Sequence, residues 1–139
     1  MAFKKKGQTL AVEAAAGKLT GANLTLATSG SPRYLAALTA APSGEDPTSM
    51  AEVAGSNLRP QVTWAATNTG AAPVEIASNG DVFVGPFSAS ATITHIALVT
   101  TTGAVAAGTI ISVASITSKS VVSGDRLRFA SGTIKLNVT

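Results

Sequence analysis

A chain of 139 residues is long enough to bury a core without covalent staples, and its lack of cysteine excludes disulfides and thiolate metal sites. Charged residues make up only 12%, about half the usual share, and large side chains are scarce: four Phe, one Trp, one Tyr and two Met. The net charge of +3 is gathered in the run Lys4-Lys5-Lys6, so the remaining body is nearly neutral, and no apolar run reaches the roughly 18–20 residues of a membrane span.

Residues 1–8 read as a flexible basic arm, and residues 9–139 as a single domain that begins with a helix. Lysines ahead of Leu10-Ala11-Val12 and Ala14-Ala15-Ala16 faintly resemble an export leader, but Glu13 interrupts an apolar region that is already too short. The spacing of Leu10, Ala14 and Lys18 predicts a helix from Thr9 to Leu19, capped by Thr9 and stopped by Gly17 and Gly21. Asn23 to Thr28 alternates with period 2 and reads as a first short strand. After the turn Ser29-Gly30-Ser31-Pro32, Arg33 to Thr39 is a strand with apolar residues on both faces.

Ala40 to Ser56 is the longest irregular stretch, punctuated by Pro42, Gly44, Pro47 and Gly55 and carrying the acids Glu45, Asp46 and Glu52. Long loops of this kind are usually functional or bound to a partner. Arg59 to Ala65 resumes as a strand with Val62 and Trp64 inward, and Pro60 marks it as an edge. Asn68 to Ala72 is a loop. Val74–Ala77 and Val82–Val84 flank Asn79-Gly80, a strong hairpin dipeptide.

Ala91 to Val99 is the central strand. Ile93, Ala97 and Val99 fall on one parity and Ile96 and Leu98 on the other, so both of its faces are expected to be covered. Beyond the loop Thr100–Gly108 the chain reads as a meander: Thr109–Thr117, Lys119–Val122, a Ser123-Gly124-Asp125 turn, Arg126–Phe129, a Ser131-Gly132 turn and Thr133–Val138. In the last pair Leu127 and Phe129 face in against Ile134, Leu136 and Val138. About eight short strands with one helix argue an all-β fold, an antiparallel β-sandwich.

Little in the chain suggests catalysis. His95, the single histidine, reads as a packed residue whose ring bonds neighbouring backbone or Thr hydroxyls, with a distant partner such as Asp81 left open. Asp46, Ser49 and Glu52 do not follow the calcium-loop pattern, and no phosphate loop, nucleophile elbow or His-x-x-x-His is present. No aromatic is interleaved with Lys4-Lys5-Lys6 or with Arg126 and Arg128, so no platform for nucleic acid is visible. The expectation is a protein without catalytic residues, cofactor or metal. Its candidate contact residues are Lys4, Lys5, Lys6, Glu45, Asp46 and Glu52, the lysines suited to an acidic protein surface.

From about residue 9 onward the order of segments resembles a family of tailed-bacteriophage virion proteins, small β-sandwich subunits labelled as tail-fibre or head-decoration proteins. The resemblance rests on the helix before Gly17, Tyr34-Leu35-Ala36-Ala37-Leu38-Thr39-Ala40-Ala41-Pro42, Glu52-Val53-Ala54-Gly55, and Arg59 leading to Val62-Thr63-Trp64. It continues through Ile93-Thr94-His95-Ile96-Ala97-Leu98 and Thr117-Ser118-Lys119-Ser120-Val121-Val122-Ser123-Gly124-Asp125. Phe87-Ser88-Ala89-Ser90 stands where the family has an aromatic-rich segment, and the lysine arm is additional. The resemblance implies a structural role in the virion, without catalysis, made in the bacterial host cytoplasm and present in many copies or as a homo-oligomer. The leading expectation is a capsid decoration protein bound to the major capsid shell. The alternatives are a tail or tail-fibre component and, from another class, a carbohydrate-binding module.

Overall fold

The computed structural model describes residues 1–16, 31–67 and 74–138. The expected strand Asn23–Thr28, the helix end at Leu19 with its stop signals Gly17 and Gly21, and the loop Asn68–Ala72 lie outside the described residues. Within them the elements are β1 (Ala2–Phe3), α1 (Lys5–Ala15), β2 (Tyr34–Leu38), β3 (Val74–Ala77), β4 (Val82–Val84), β5 (Ala91–Val99), β6 (Ile110–Val121), β7 (Leu127–Phe129) and β8 (Lys135–Val138). The fold is all-β and antiparallel with one short helix. Its strands form a four-stranded sheet in the order β1-β6-β5-β2 and two two-stranded pairs, β3-β8 and β4-β7.

β5 is the centre of the large sheet, paired with β2 on one side and β6 on the other. Both of its faces are covered, as its apolar content on both parities requires. The sorting of residues differs from simple alternation. Ile93 joins Ile96 and Leu98 in the larger core, while Ala97 and Val99 face the smaller one. The cause is a break in the ladder: Ile93 pairs with Lys119 but His95 with Ser115, so the two strands lose register between them.

The larger core fills the space between one face of this sheet and the two pairs. Leu35, Ala37, Leu98 and Ile111 meet Val62, Val82, Val84, Phe87 and Ile134 there. The opposite face, with Ala36, Leu38, Val99 and Ile110, is closed by loops carrying Met50 and Val105. Arg59–Ala65 is not a full strand; it makes single antiparallel bridges, Gln61 with Tyr34 and Trp64 with Ser78, that carry the large sheet round to β3.

The last third departs from the expected meander. Asn79-Gly80 does not fold β3 back on β4, and β7 does not pair with β8. Instead residues 74–84 and 127–138 make one long ribbon. Ala77 pairs with Lys135 and Val82 with Phe129, which leaves residues 78–81 opposite 130–134, four against five. The expected turns become the kink in this ribbon, with Gly80 and Gly132 at φ +94 and +81. Ser78, 2% exposed, holds the kink. Its N–H donates to Ile134 O (2.8 Å), its carbonyl accepts from Gly132 N–H (2.8 Å), and its hydroxyl oxygen lies 3.2 Å from the same nitrogen. The two strands expected at Thr109–Thr117 and Lys119–Val122 are one, β6.

The N-terminus is built into the sheet where a flexible arm was expected. Ala2 and Phe3 pair with Val113 and Ser112, and Lys4 N–H donates to Ile111 O at 2.8 Å. α1 therefore begins at Lys5, not Thr9. Thr9 lies inside it, its hydroxyl donating back to Lys5 O at 2.8 Å. Tertiary packing sets that start, because Gly7 lets the helix touch β6: a Cβ there would sit 2.6 Å from Ile111 O and 2.7 Å from the Phe3 ring.

Two outcomes follow from these contacts. Gly7→Ala should destabilise by about 1–3 kcal/mol through overpacking, although helix propensity alone favours Ala by about 1 kcal/mol. A higher denaturation midpoint in the variant would show that α1 does not pack on β6. At the ribbon kink, Asp81 accepts from Arg128 Nε at 2.7 Å and Ser131 N–H at 3.0 Å, bonds that hold its carboxyl below the usual carboxylate range. A depressed folded pKa adds stability above the unfolded value and loses it as pH falls through the folded one. Acid titration of wild type and Asp81→Asn should therefore converge below the carboxylate range and separate above it, with wild type the more stable.

Candidate contact surfaces

Five of the six candidate contact residues come to one corner. Lys4 Nζ donates to Gly44 O at 2.9 Å, and Lys5 N–H donates to Glu45 O at 3.0 Å. Asp46 Oδ1 accepts from Gly108 N–H at 2.7 Å, and the space beside Gly108 is bounded by the Lys6 side chain. The start of α1 thus lies against the tip of the Ala40–Ser56 loop, placing basic and acidic side chains together. Lys5 and Glu45 are exposed. Two lysines in the first turn with no acid among them oppose the helix dipole, at some cost to the helix.

Glu52 is turned to a different task. Its carboxylate takes a two-point contact from Arg59, at 2.9 Å from Nε and 2.7 Å from Nη2, with both side chains largely buried. Arg59 Nη1 also donates to the carbonyls of Thr101 (3.3 Å) and Gly103. One guanidinium thereby joins the 40–56 and 100–108 loops, which cover the second face of the sheet. The Glu52 hydrogen bonds hold the Arg59 pKa above its ordinary value, outweighing burial, which acts in the other direction. A cleft of about 400 Å³ opens beside the pair, lined by Glu52, Gly55, Asn57, Leu58, Arg59 and Thr102. Asn57 sits at φ 46, and its side-chain amide donates to Phe83 O at 3.0 Å, capping the edge of β4.

His95 is half-buried on β5. The Thr94 hydroxyl donates to Thr39 O (3.0 Å) and lies 2.8 Å from His95 Nδ1. A hydroxyl has one hydrogen, so while it donates to Thr39 O it can only accept from the ring nitrogen. The bonds of Asp81 go to Arg128 and Ser131. Among the described residues no group of three or more His, Cys, Asp or Glu could hold a metal ion. No described helix is long and apolar enough to cross a membrane.

Two exposed apolar residues escaped the sequence reading. Phe83, 43% exposed, lies directly opposite Arg128 on the outer face of the β4–β7 pair, and Val122, 55% exposed, follows β6. Phe83 alternates between Val82 and Val84, which marks it as outward, but that signal says nothing about which strand it faces.

Arg59→Ala should cost about 2–3 kcal/mol, because it strands a largely buried carboxylate and frees two loops. Arg59→Lys should recover less than half of this, since an ammonium cannot meet both carboxylate oxygens and the two carbonyls together. Unchanged urea midpoints in both variants would show that the loops do not depend on this residue.

No curated protein matches the chain. A sequence family described as podophage GP4 fiber I protein gp80 matches residues 11–137, which takes in every strand from β2 to β7 and the second half of α1. On that span the chain belongs to the podophage GP4 fiber I protein gp80 family, structural proteins of a tailed-phage virion.

Proposed function

We propose that this chain is a non-catalytic building block of the phage fibre, attached to other virion subunits through the corner where α1 meets the 40–56 loop. The observation that carries the reading is the family match across residues 11–137. The fold supports it: a core on each face of one sheet, loops tied down by Arg59, and His95 bonded to its neighbour Thr94 make a stiff body suited to load and spacing.

Capsid decoration, the other structural role, is favoured by one feature, the cationic run Lys4-Lys5-Lys6 presented at the surface of an otherwise nearly neutral body. An exposed lysine facing an acidic subunit gains about 0.2–1 kcal/mol, screened by salt. Many copies on one assembly add such small terms. Glu45 and Asp46 stand in the same corner, so a neighbour that meets it would present charges of both signs. Glu52, bound to Arg59, contributes to such a contact by fixing the loop.

Quantifying the chain in purified particles tests the placement. A handful of copies per particle agrees with a fibre; hundreds would transfer the protein to the capsid surface. Replacing Lys4, Lys5 and Lys6 by Gln keeps β1 in place, unlike deletion of residues 1–8. The triple variant should remain folded and leave particles at lower salt than wild type. An unchanged salt profile would remove this corner from the contact.

A further inference from the structure

β6 is paired with β5 over most of its length but with β1 only at its start. β1 covers Val113 and Ser112, and Lys4 N–H extends the contact to Ile111. From Ala114 to Val121, no described strand lies on the outer side. Ser115, Thr117, Ser118, Lys119 and Ser120 are exposed along it.

The far border of this gap is the ribbon. β8 has β3 on one side only, β7 has β4 on one side only, and the Met1 ammonium lies 3.5 Å from Lys135 O. The N-terminus thus touches both borders at one end of the gap, and the 122–125 turn joins them at the other. Between these points no Cα of β6 comes within 8 Å of one in β7 or β8. Paired strands lie about 4.8 Å apart, so β6 is paired with neither β7 nor β8 across this gap.

Two further features point to an occupant. Ala114 and Ile116 on β6, Leu127 and Phe129 on β7, and Leu136 on β8 pack against the larger core yet stay only partly buried. The rim carries Lys119 and Arg126, both exposed, with no ion pair to either among the described residues. The line of β1, prolonged past Met1, runs opposite Ser115 to Val121, so the ladder position that no described strand fills continues an existing one.

We propose that this seam takes up one extended segment of a neighbouring virion subunit by strand addition to β6. Apolar side chains of that segment turn onto Ile116, Leu127 and Phe129, and acidic ones meet Lys119, which shares the face of its partner Ile93, and Arg126 at the rim. Backbone bonds to an open edge supply the affinity and the alternating side chains supply the selection. The proposal rests on the virion reading of the chain.

Amide hydrogen exchange on the full chain, free and in purified particles, tests it. In the free protein the outward-facing amides of residues 115–121 should exchange rapidly; in particles they should slow at least about 10-fold, as strand pairing demands. If the chain is in the particles and these amides exchange as fast as before, the proposal is wrong while the virion reading stands. Absence of the chain from particles removes both. Protection that arises in the free protein with concentration, as a dimer forms, assigns the edge to a second copy and overturns the proposal. The double variant Lys119→Glu/Arg126→Glu should keep its melting temperature and enter particles several-fold less well; equal incorporation would contradict an acidic occupant.

Discussion

The buried corner at Ser78 sets the course of the second half of the chain. By bonding Ile134 and Gly132 with its backbone and offering its hydroxyl oxygen to the same segment, it holds residues 74–84 against 127–138 through a mismatch of one residue. Once β7 and β8 are committed to β4 and β3, they are withdrawn from β6. The ribbon then covers one face of the four-stranded sheet, delivering Val82, Val84 and Ile134 to the larger core. Beyond β1, no described strand then lies along the outer edge of β6, a consequence of the same pairing. A single constraint thus explains both the core and the available edge.

The composition makes sense on this frame. A central strand flanked on both sides and covered on both faces has little room for side-chain bulk. Ala36, Ala97 and Ser112 are all fully buried there, and Gly7 brings α1 onto β6 at a distance a methyl group would not allow. The described surface is ion-poor, and Ala, Ser, Thr and Gly make up most of its exposed positions. Three described ion pairs tie segments together: Arg59 with Glu52 across loops, Arg128 with Asp81 at the kink, Lys135 with Glu75 across the ribbon. This is the economy of a structural subunit, whose chemistry lies in contacts.

Local patterns in the sequence revealed the strands and their apolar faces, since β2, β3, β4 and β5 follow from alternation and from branched residues. Pairing was not legible. Asn79-Gly80 and Ser131-Gly132 carry the residues of tight turns because both demand positive φ, and a kink in a long ribbon demands the same. Only the buried Ser78, ordinary in sequence, separates the two cases. The helix start was missed for a similar reason: Thr9 is a good cap, but Gly7 and the pairing of Ala2 and Phe3 draw the helix four residues earlier. Among the candidate contact residues, the meeting of Lys4, Lys5, Lys6, Glu45 and Asp46 depends on tertiary packing that spacing cannot express. The Glu52–Arg59 pair, seven residues apart in a Pro/Gly-rich loop, left no periodic trace.

The ribbon can be tested directly, because a chain without cysteine offers a clean background for introduced pairs. Phe83 and Arg128 lie directly opposite each other in β4 and β7, and both are exposed, so Phe83→Cys with Arg128→Cys should form a disulfide under mild oxidation. Arg128→Cys with Lys135→Cys would be opposed only if β7 turned back on β8. Rapid closure of the first pair and none of the second is the result this account predicts. The reverse would restore the simple hairpin, close the seam beside β6 and contradict the ribbon on which the rest depends.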